Sequence, residues 1–248
     1  MQKERSFVMS IAGYDPSGGA GLLADIKTFE QLKVQGLGVC TAMTLQTESR
    51  CLSLNWQPLS EIIQSIEILM KSYDVQVVKI GVVKDAWMLG EIVTTIKLIN
   101  PEAKIVWDPV LKSTSEFSFF DLSTIPELEN VLKQIDLITP NYNEYQVLKE
   151  AHLFSQSQSS CSVLIKGGHR EDKVGTDILI ENGKEIIIEP NDKISVFYSK
   201  HGSGCVLSSA IASYLALGNN LEEACKQGKL YIEEFLKSNP SLLGYHSN

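Results

Sequence analysis

What this sequence lacks narrows it first. No apolar stretch approaches the roughly 20 residues of a membrane-spanning helix, and the early apolar run Phe7 to Gly13 is short for a secretory leader and ends in a Pro/Gly turn. No membrane association is expected. Cysteines number five, at positions 40, 51, 161, 205 and 225, an odd count with no pair at Cys-x-x-Cys spacing. That pattern indicates neither a disulfide framework nor a zinc knuckle, and a reducing cytoplasm is the expected compartment. Positive charge is scarce: 22 Lys and Arg against 30 Asp and Glu leave a net charge of −8, with no basic footprint for nucleic acid. The G-x-x-x-x-G-K-[ST] phosphate loop is also missing. An anionic ligand must therefore be held locally, by glycine turns, helix termini or a metal.

What is present is an ordinary globular composition, with 44% hydrophobic and 21% charged residues over 248 positions. The length suits one larger α/β domain, the expectation being a single domain spanning 1–248, or else two small ones. Short apolar runs predict strands at Phe7–Ala12, Gly38–Leu45, Val75–Ile80, Lys104–Trp107, Leu137–Thr139 and Val163–Ile165. Helical spacing predicts helices at Leu22–Leu32, Pro58–Tyr73, Trp87–Leu98, Leu128–Ile135, Glu144–Ala151, Cys205–Leu217 and Leu221–Leu236. Phe154–Ser160 reads as a polar surface loop. Three β-prone runs follow at Ile178–Ile180, Glu185–Ile188 and Ile194–Tyr198, with a hairpin signal at Asn182-Gly183. Alternating strands and helices imply a largely parallel central sheet with helices on both faces, a three-layer sandwich.

Two glycine-rich segments stand out. Gly19-Ala20-Gly21-Leu22-Leu23-Ala24 matches a dinucleotide fingerprint, but several loop residues separate it from the strand, and no acidic residue closes a second strand about 20 positions on. The second segment, His201-Gly202-Ser203-Gly204-Cys205, opens into a helix and should leave the amides of Gly204 to Val206 free to hold an anion. A thiolate at Cys205 would be stabilised by the helix dipole; equally, Cys205 reads as a buried core cysteine. Polar residues and glycines recur at strand ends: Gly13, Gln46, Gly81, Asp108, Asn141 and Lys166. Ligands of open parallel sheets bind there, and carboxylates at Asp108 and Glu144 beside a lysine suit phosphoryl transfer.

The motifs Ile11 to Asp25, Lys79-Ile80-Gly81, Asp108-Pro109-Val110, Thr139-Pro140-Asn141 with Glu144, Lys166-Gly167-Gly168-His169 and His201 to Cys205 resemble those of the hydroxymethylpyrimidine and phosphomethylpyrimidine kinases of thiamine biosynthesis, members of the ribokinase-like superfamily. The resemblance implies a ribokinase-like sandwich that uses ATP and Mg²⁺ to phosphorylate a pyrimidine alcohol and then its monophosphate. By it, Cys205 takes the hydroxyl proton while the N–H groups of Gly202, Ser203, Gly204 and Cys205 hold the developing charge. It also implies that Gly13, Asp25, Gln46 and Val82 line the pyrimidine pocket, with Gln46 as the direct partner. Asn141, Lys166, Gly168 and Ser203 fall to the nucleotide, and Glu144 and Asp108 to the metal. A homodimer is implied as well.

Each assignment has an ordinary alternative from the residues alone: Asp25 as an exposed helix acid, Gln46 as a strand-end polar residue, Glu144 as a first-turn acid, and Lys166 with His169 as a solvated pair. The chain also departs from the family pattern at Val82, Thr47, Thr114 and Glu116, in the short segment between Glu144 and Val163, and at its close, Leu243-Gly244-Tyr245-His246. Pyridoxal kinase is the nearest competing activity, and a non-catalytic vitamin-binding relative the competing class.

Overall fold

A computed structural model describes residues 4–112, 117–154, 161–169, 175–191 and 196–246. Thr114, Glu116, most of the polar Phe154–Ser160 loop and part of the Ile194–Tyr198 run lie outside them. Chain order is β1 (Phe7–Tyr14), α1 (Gly21–Gln31), β2 (Gln35–Gln46), β3 (Cys51–Trp56), α2 (Leu59–Ser72), β4 (Val75–Ile80), α3 (Ala86–Ile99), β5 (Lys104–Trp107), α4 (Leu128–Leu132), β6 (Leu137–Ile138), α5 (Tyr142–Glu150), β7 (Ser162–Ile165), β8 (Asp177–Glu181), β9 (Lys184–Ile188), α6 (Ser203–Ala216) and α7 (Leu221–Lys237).

The described strands form one sheet in the order β3-β2-β1-β4-β5-β6-β7-β8-β9. Its centre is parallel from β2 to β7, and the two flanks are antiparallel, β3 on β2 and β8-β9 on β7. Strand β3 has no counterpart among the predicted runs, and the described part of the predicted β-prone run Ile194–Tyr198 is irregular, as are residues 196–200 as a whole. β3 is an edge strand, held through backbone pairing to β2 and only partly buried, so it carries no continuous apolar run to betray it.

Strand side chains alternate between two cores, as a pleated strand requires. Val8, Val77, Val106, Leu137 and Leu164 face α1, α6 and α7. Met9, Val78, Ile80, Ile105, Trp107 and Ile138 face α2, α3, α4 and α5. Both faces are covered, which is why these strands read as near-continuous apolar runs. The chain leaves β1 by α1 toward β2 on one side, then returns by α2 to β4 on the other. Strand order therefore reverses between β1 and β4, and a crevice at their carboxyl ends is where such folds bind ligands.

Helix starts also differ among themselves. Asp85, Asn141 and Asn220 cap α3, α5 and α7 through side-chain oxygens that accept from the third helical amide. Gly202 precedes α6 at φ 73°, and no side chain caps that helix. A Cβ there would collide with the Gly19 carbonyl and sit 2.6 Å from Ala20 Cα, so glycine is required for α6 to meet the start of α1.

Helices α6 and α7 approach closely at Gly228, where an added Cβ would lie 2.7 Å from Ile211 Cγ1. An exposed Gly→Ala change inside a helix gains about 1 kcal/mol from propensity. At this contact overpacking wins, so Gly228→Ala should lower the thermal unfolding midpoint; a raised midpoint would contradict the close approach.

Candidate active site

On the face covered by α6, the strands turn polar toward their carboxyl ends. Val8 is followed by Ser10, Val77 by Lys79, Val106 by Asp108, Leu137 by Thr139 and Leu164 by Lys166, each two residues on and so on the same side. These groups form two buried clusters. In the first, Lys79 Nζ donates to both oxygens of Asp25, at 3.0 and 2.8 Å, with both side chains wholly buried. Ser10 Oγ and Ser209 Oγ also donate to that carboxylate, at 2.5 and 2.7 Å. In the second, Lys166 Nζ donates to Asp108 Oδ1 at 2.7 Å, joined by Thr139 Oγ1 at 3.1 Å, while Ser208 Oγ reaches Asp108 Oδ2 at 3.3 Å. Ser208 and Ser209, adjacent on α6, thus each address one carboxylate.

The clusters seat the first turn of α6 over the sheet. Val206 N already donates to Gly202 O at 3.0 Å, so the amides ahead of the helical ladder belong to Ser203, Gly204 and Cys205, not to Gly204 through Val206. A Cβ at Gly204 would lie 3.0 Å from Lys166 Nζ. Its absence leaves a lysine ammonium beside open helix amides, an arrangement suited to a phosphate. Cys205 is partly exposed in this turn. Burial pushes its thiol up to about 11; Lys79 and the Gly21 amide pull down, while Asp108 and Asp25 push up. Stabilisation of a thiolate by the helix terminus is outweighed here by burial and two carboxylates, which favour the thiol.

On the β1/β4 side, Gly13 and Val82 are neighbours, since a Cβ on Gly13 would sit 3.8 Å from Val82 Cβ. Thr41 Oγ1 holds the Val82 carbonyl at 2.7 Å. Gly21, at φ +56°, packs on the Gly13 carbonyl and turns its amide to Cys205, so these positions share one crevice. Gln46 is half-buried at the end of β2. Asp25 lies beneath this floor with its carboxylate fully engaged, a support for the crevice and not part of its surface.

The loop after β1 is tied to the turn before α6. Asp15 accepts from Ser17 N, Ser17 Oγ and Ala20 N, and pairs with His201 Nε2 at 2.9 Å. Burial acts to raise the Asp15 pKa, but these hydrogen bonds outweigh it and hold the carboxyl below the usual range. His201 Nδ1 is buried without a partner among the described residues, a polar atom that a ligand in this turn could satisfy.

At the other end, Asn141 and Glu144 form a capping box on α5: Asn141 N donates to Glu144 Oε2 at 2.7 Å and Glu144 N to Asn141 Oδ1 at 2.9 Å. Burial raises the Glu144 pKa to about 7, Lys166 opposing and Asp108 adding. Asn141 also bridges Lys166 through the backbone, and Gly168 is exposed in the next turn. Asp108 is 1% exposed with both oxygens engaged, so of the two carboxylates assigned to metal only Glu144 is left under-compensated. No group of three His, Cys, Asp or Glu side chains among the described residues could hold an ion unaided. That donor set still fits Mg²⁺, which keeps several waters and takes one or two carboxylates. The sequence reading gave no role to Lys79, Ser10, Thr139, Ser208, Ser209, Asp15 or His201. The signal for Lys79 and Ser10 was a polar residue inside an otherwise apolar strand.

Residues 15–248 match the family model described as phosphomethylpyrimidine kinase. The hydroxymethylpyrimidine/phosphomethylpyrimidine kinase of Aquifex aeolicus is 32% identical over 246 residues, covering 94% of this chain and 95% of that protein. A crystal structure of phosphomethylpyrimidine kinase from Clostridium difficile is 31% identical, covers 93% of this chain and 99% of its own, and superposes with a TM-score of 0.74. Staphylococcus aureus pyridoxal kinase shares the fold, with a TM-score of 0.78 at 22% identity over 95% of this chain and 89% of that one. The chain spans about half the length of some other curated relatives it matches, 56% of one and 45% of another.

Because the Glu144 pKa is raised from 4.5 to about 7, the folded protein binds its proton more tightly than the unfolded chain. Stability contributed by this group is therefore greatest at low pH and falls as pH rises through that window. Without added divalent cation, Glu144→Gln, which keeps the capping acceptor, should raise the unfolding temperature more at about pH 8 than at about pH 5. Equal shifts at both would contradict the assignment.

Proposed function

We propose that this chain, which belongs to the phosphomethylpyrimidine kinase family, transfers the γ-phosphoryl group of ATP to the hydroxymethyl group of 4-amino-5-hydroxymethyl-2-methylpyrimidine and then to the resulting monophosphate. The observation that carries the reading is the uncapped first turn of α6, with Ser203, Gly204 and Cys205 amides ahead of the helical ladder and Lys166 beside Gly204. Phosphoryl transfer asks mainly for positioning and neutralisation of charge spread over the transferred oxygens. Backbone amides and a lysine supply both without rearranging at the moment of reaction.

The acceptor side is the neighbourhood of Gly13 and Val82, which Gly21 links to Cys205, with Gln46 assigned to it from the end of β2. Held there, a hydroxymethyl group faces the sulfur and the open amides together. Cys205 takes the hydroxyl proton. With the thiol raised to about 11, the reactive form is the minor thiolate, whose own proton passes to solvent before the acceptor binds. As a weak base for an alcohol, it takes the hydroxyl proton late, after the phosphoryl group has largely left the donor. Lys79, whose ammonium is kept protonated by Asp25 against burial, lowers the cost of that thiolate. On the donor side, Asn141, Lys166, Gly168 and Ser203 form the nucleotide's polar surface. Glu144 would hold Mg²⁺ with its waters, and the ion would supply neutralisation of the donor phosphates. Asp108 keeps Lys166 oriented between the two sides.

The deciding assay is ATP consumption with the hydroxymethylpyrimidine, its monophosphate and pyridoxal offered separately. Turnover with both pyrimidines is expected. Turnover with pyridoxal alone would move the assignment to pyridoxal kinase, and nucleotide binding without turnover of any of the three would overturn the enzyme reading. Cys205→Ala should lower kcat by about 10²–10⁴-fold with little change in ATP affinity; an unchanged kcat would make Cys205 a packing residue.

A further inference from the structure

The β7–β8 connection carries Lys166 and Gly168, and its base is closed by a buried ion pair outside the site. Gly175 N donates to Gly167 O at 3.1 Å, and Gly167 N donates to Asp177 Oδ1 at 2.7 Å. A Cβ on Gly167 would collide with the Thr176 carbonyl, so the two arms touch through backbone. From α7, Lys229 reaches across to this base. Its ammonium pairs with Asp177 Oδ2 at 3.1 Å and donates to the Gly175 carbonyl. Lys229 is 7% exposed and Asp177 3%. Glu233, one turn further along α7, accepts from Asn191 N at 3.2 Å instead, so neighbouring positions on the helix hold different connections.

Burying a lysine and an aspartate is no route to stability in itself, since apolar residues of similar volume do as well or better. What the charges provide here is direction: one ammonium and one carboxylate fix a carbonyl and an amide on opposite arms of the loop that presents Lys166. We propose that Lys229 and Asp177 are positioning residues for the phosphoryl donor, setting Lys166 and Gly168 through the Gly167–Gly175 base without touching the nucleotide. This rests on the kinase reading given above, in which that loop faces ATP.

Lys229→Met alone strands a buried carboxylate, so the informative variant is Lys229→Met/Asp177→Asn. It buries no lone charge and keeps an acceptor for Gly167 N. The KM for ATP should rise roughly tenfold while the KM for the pyrimidine stays within about twofold. Amide exchange across 166–176, measured without nucleotide, should quicken in the same variant. Glu233→Gln, as the comparison, should move neither KM. In an enzyme active as wild type, a folded double variant with unchanged KM for ATP, or with both KM values rising together, overturns this inference alone. A wild-type chain that binds no ATP overturns the kinase reading and this inference with it.

Discussion

The ion pair between Asp25 and Lys79 is the constraint on which the rest of the site depends. Both side chains are wholly buried between the sheet and α6. Water is replaced there by a closed set of partners, with Ser10 from β1 and Ser209 from α6 completing the carboxylate's bonds. Such a pair adds little stability over an apolar core, yet removing one member leaves an uncompensated buried charge. α1, β1, β4 and α6 must therefore come together in one register. A second pair, Asp108 with Lys166, repeats the arrangement one strand along, and Ser208 ties it to the same helix.

From that seating the functional geometry follows. α6 is held with its first turn over the carboxyl ends of β1, β4 and β5, where strand order reverses and open α/β sheets bind their ligands. Glycines at 21 and 202 adopt left-handed conformations, the first letting α1 start against the end of β1 and the second letting the starts of α1 and α6 meet. Glycine at 204 leaves Lys166 facing the helix amides. Burial pushes the Cys205 thiol up, and the same carboxylates that organise the cations add to that push. Electrostatics and proton affinity here are two consequences of one packing arrangement.

Much of this was legible in the residues. The parallel core could be read from apolar runs closing in glycine, aspartate or asparagine, and Asn182-Gly183 marked the hairpin found between β8 and β9. The turn at Gly202 to Cys205 was visible as a helix entry, although α6 begins two residues earlier than the apolar spacing suggests, at Ser203, because Ser203 and Gly204 face the site and not the core. Edge strand β3 was not legible, being paired by backbone and half-exposed. Nor were the burial of Asp25 and the engagement of Asp108, because a carboxylate's partners come from distant strands. Lys79 and Ser209 lie 54 and 184 positions from Asp25, and spacing along the chain carries no trace of them. The upward push on the Cys205 thiol was not legible for the same reason: the helix terminus is local and readable, while burial, Asp108 and Asp25 are brought to it only by folding.

The most direct measurement is a double-mutant cycle on unfolding free energy with Asp25→Ala, Lys79→Met and both together. Asp25→Ala should cost about 3–5 kcal/mol by stranding the ammonium, and adding Lys79→Met should recover most of it, because the double variant buries no charge. Losses that simply add would contradict the account, since Asp25 and Lys79 would then act independently and could not be the interaction that seats α6.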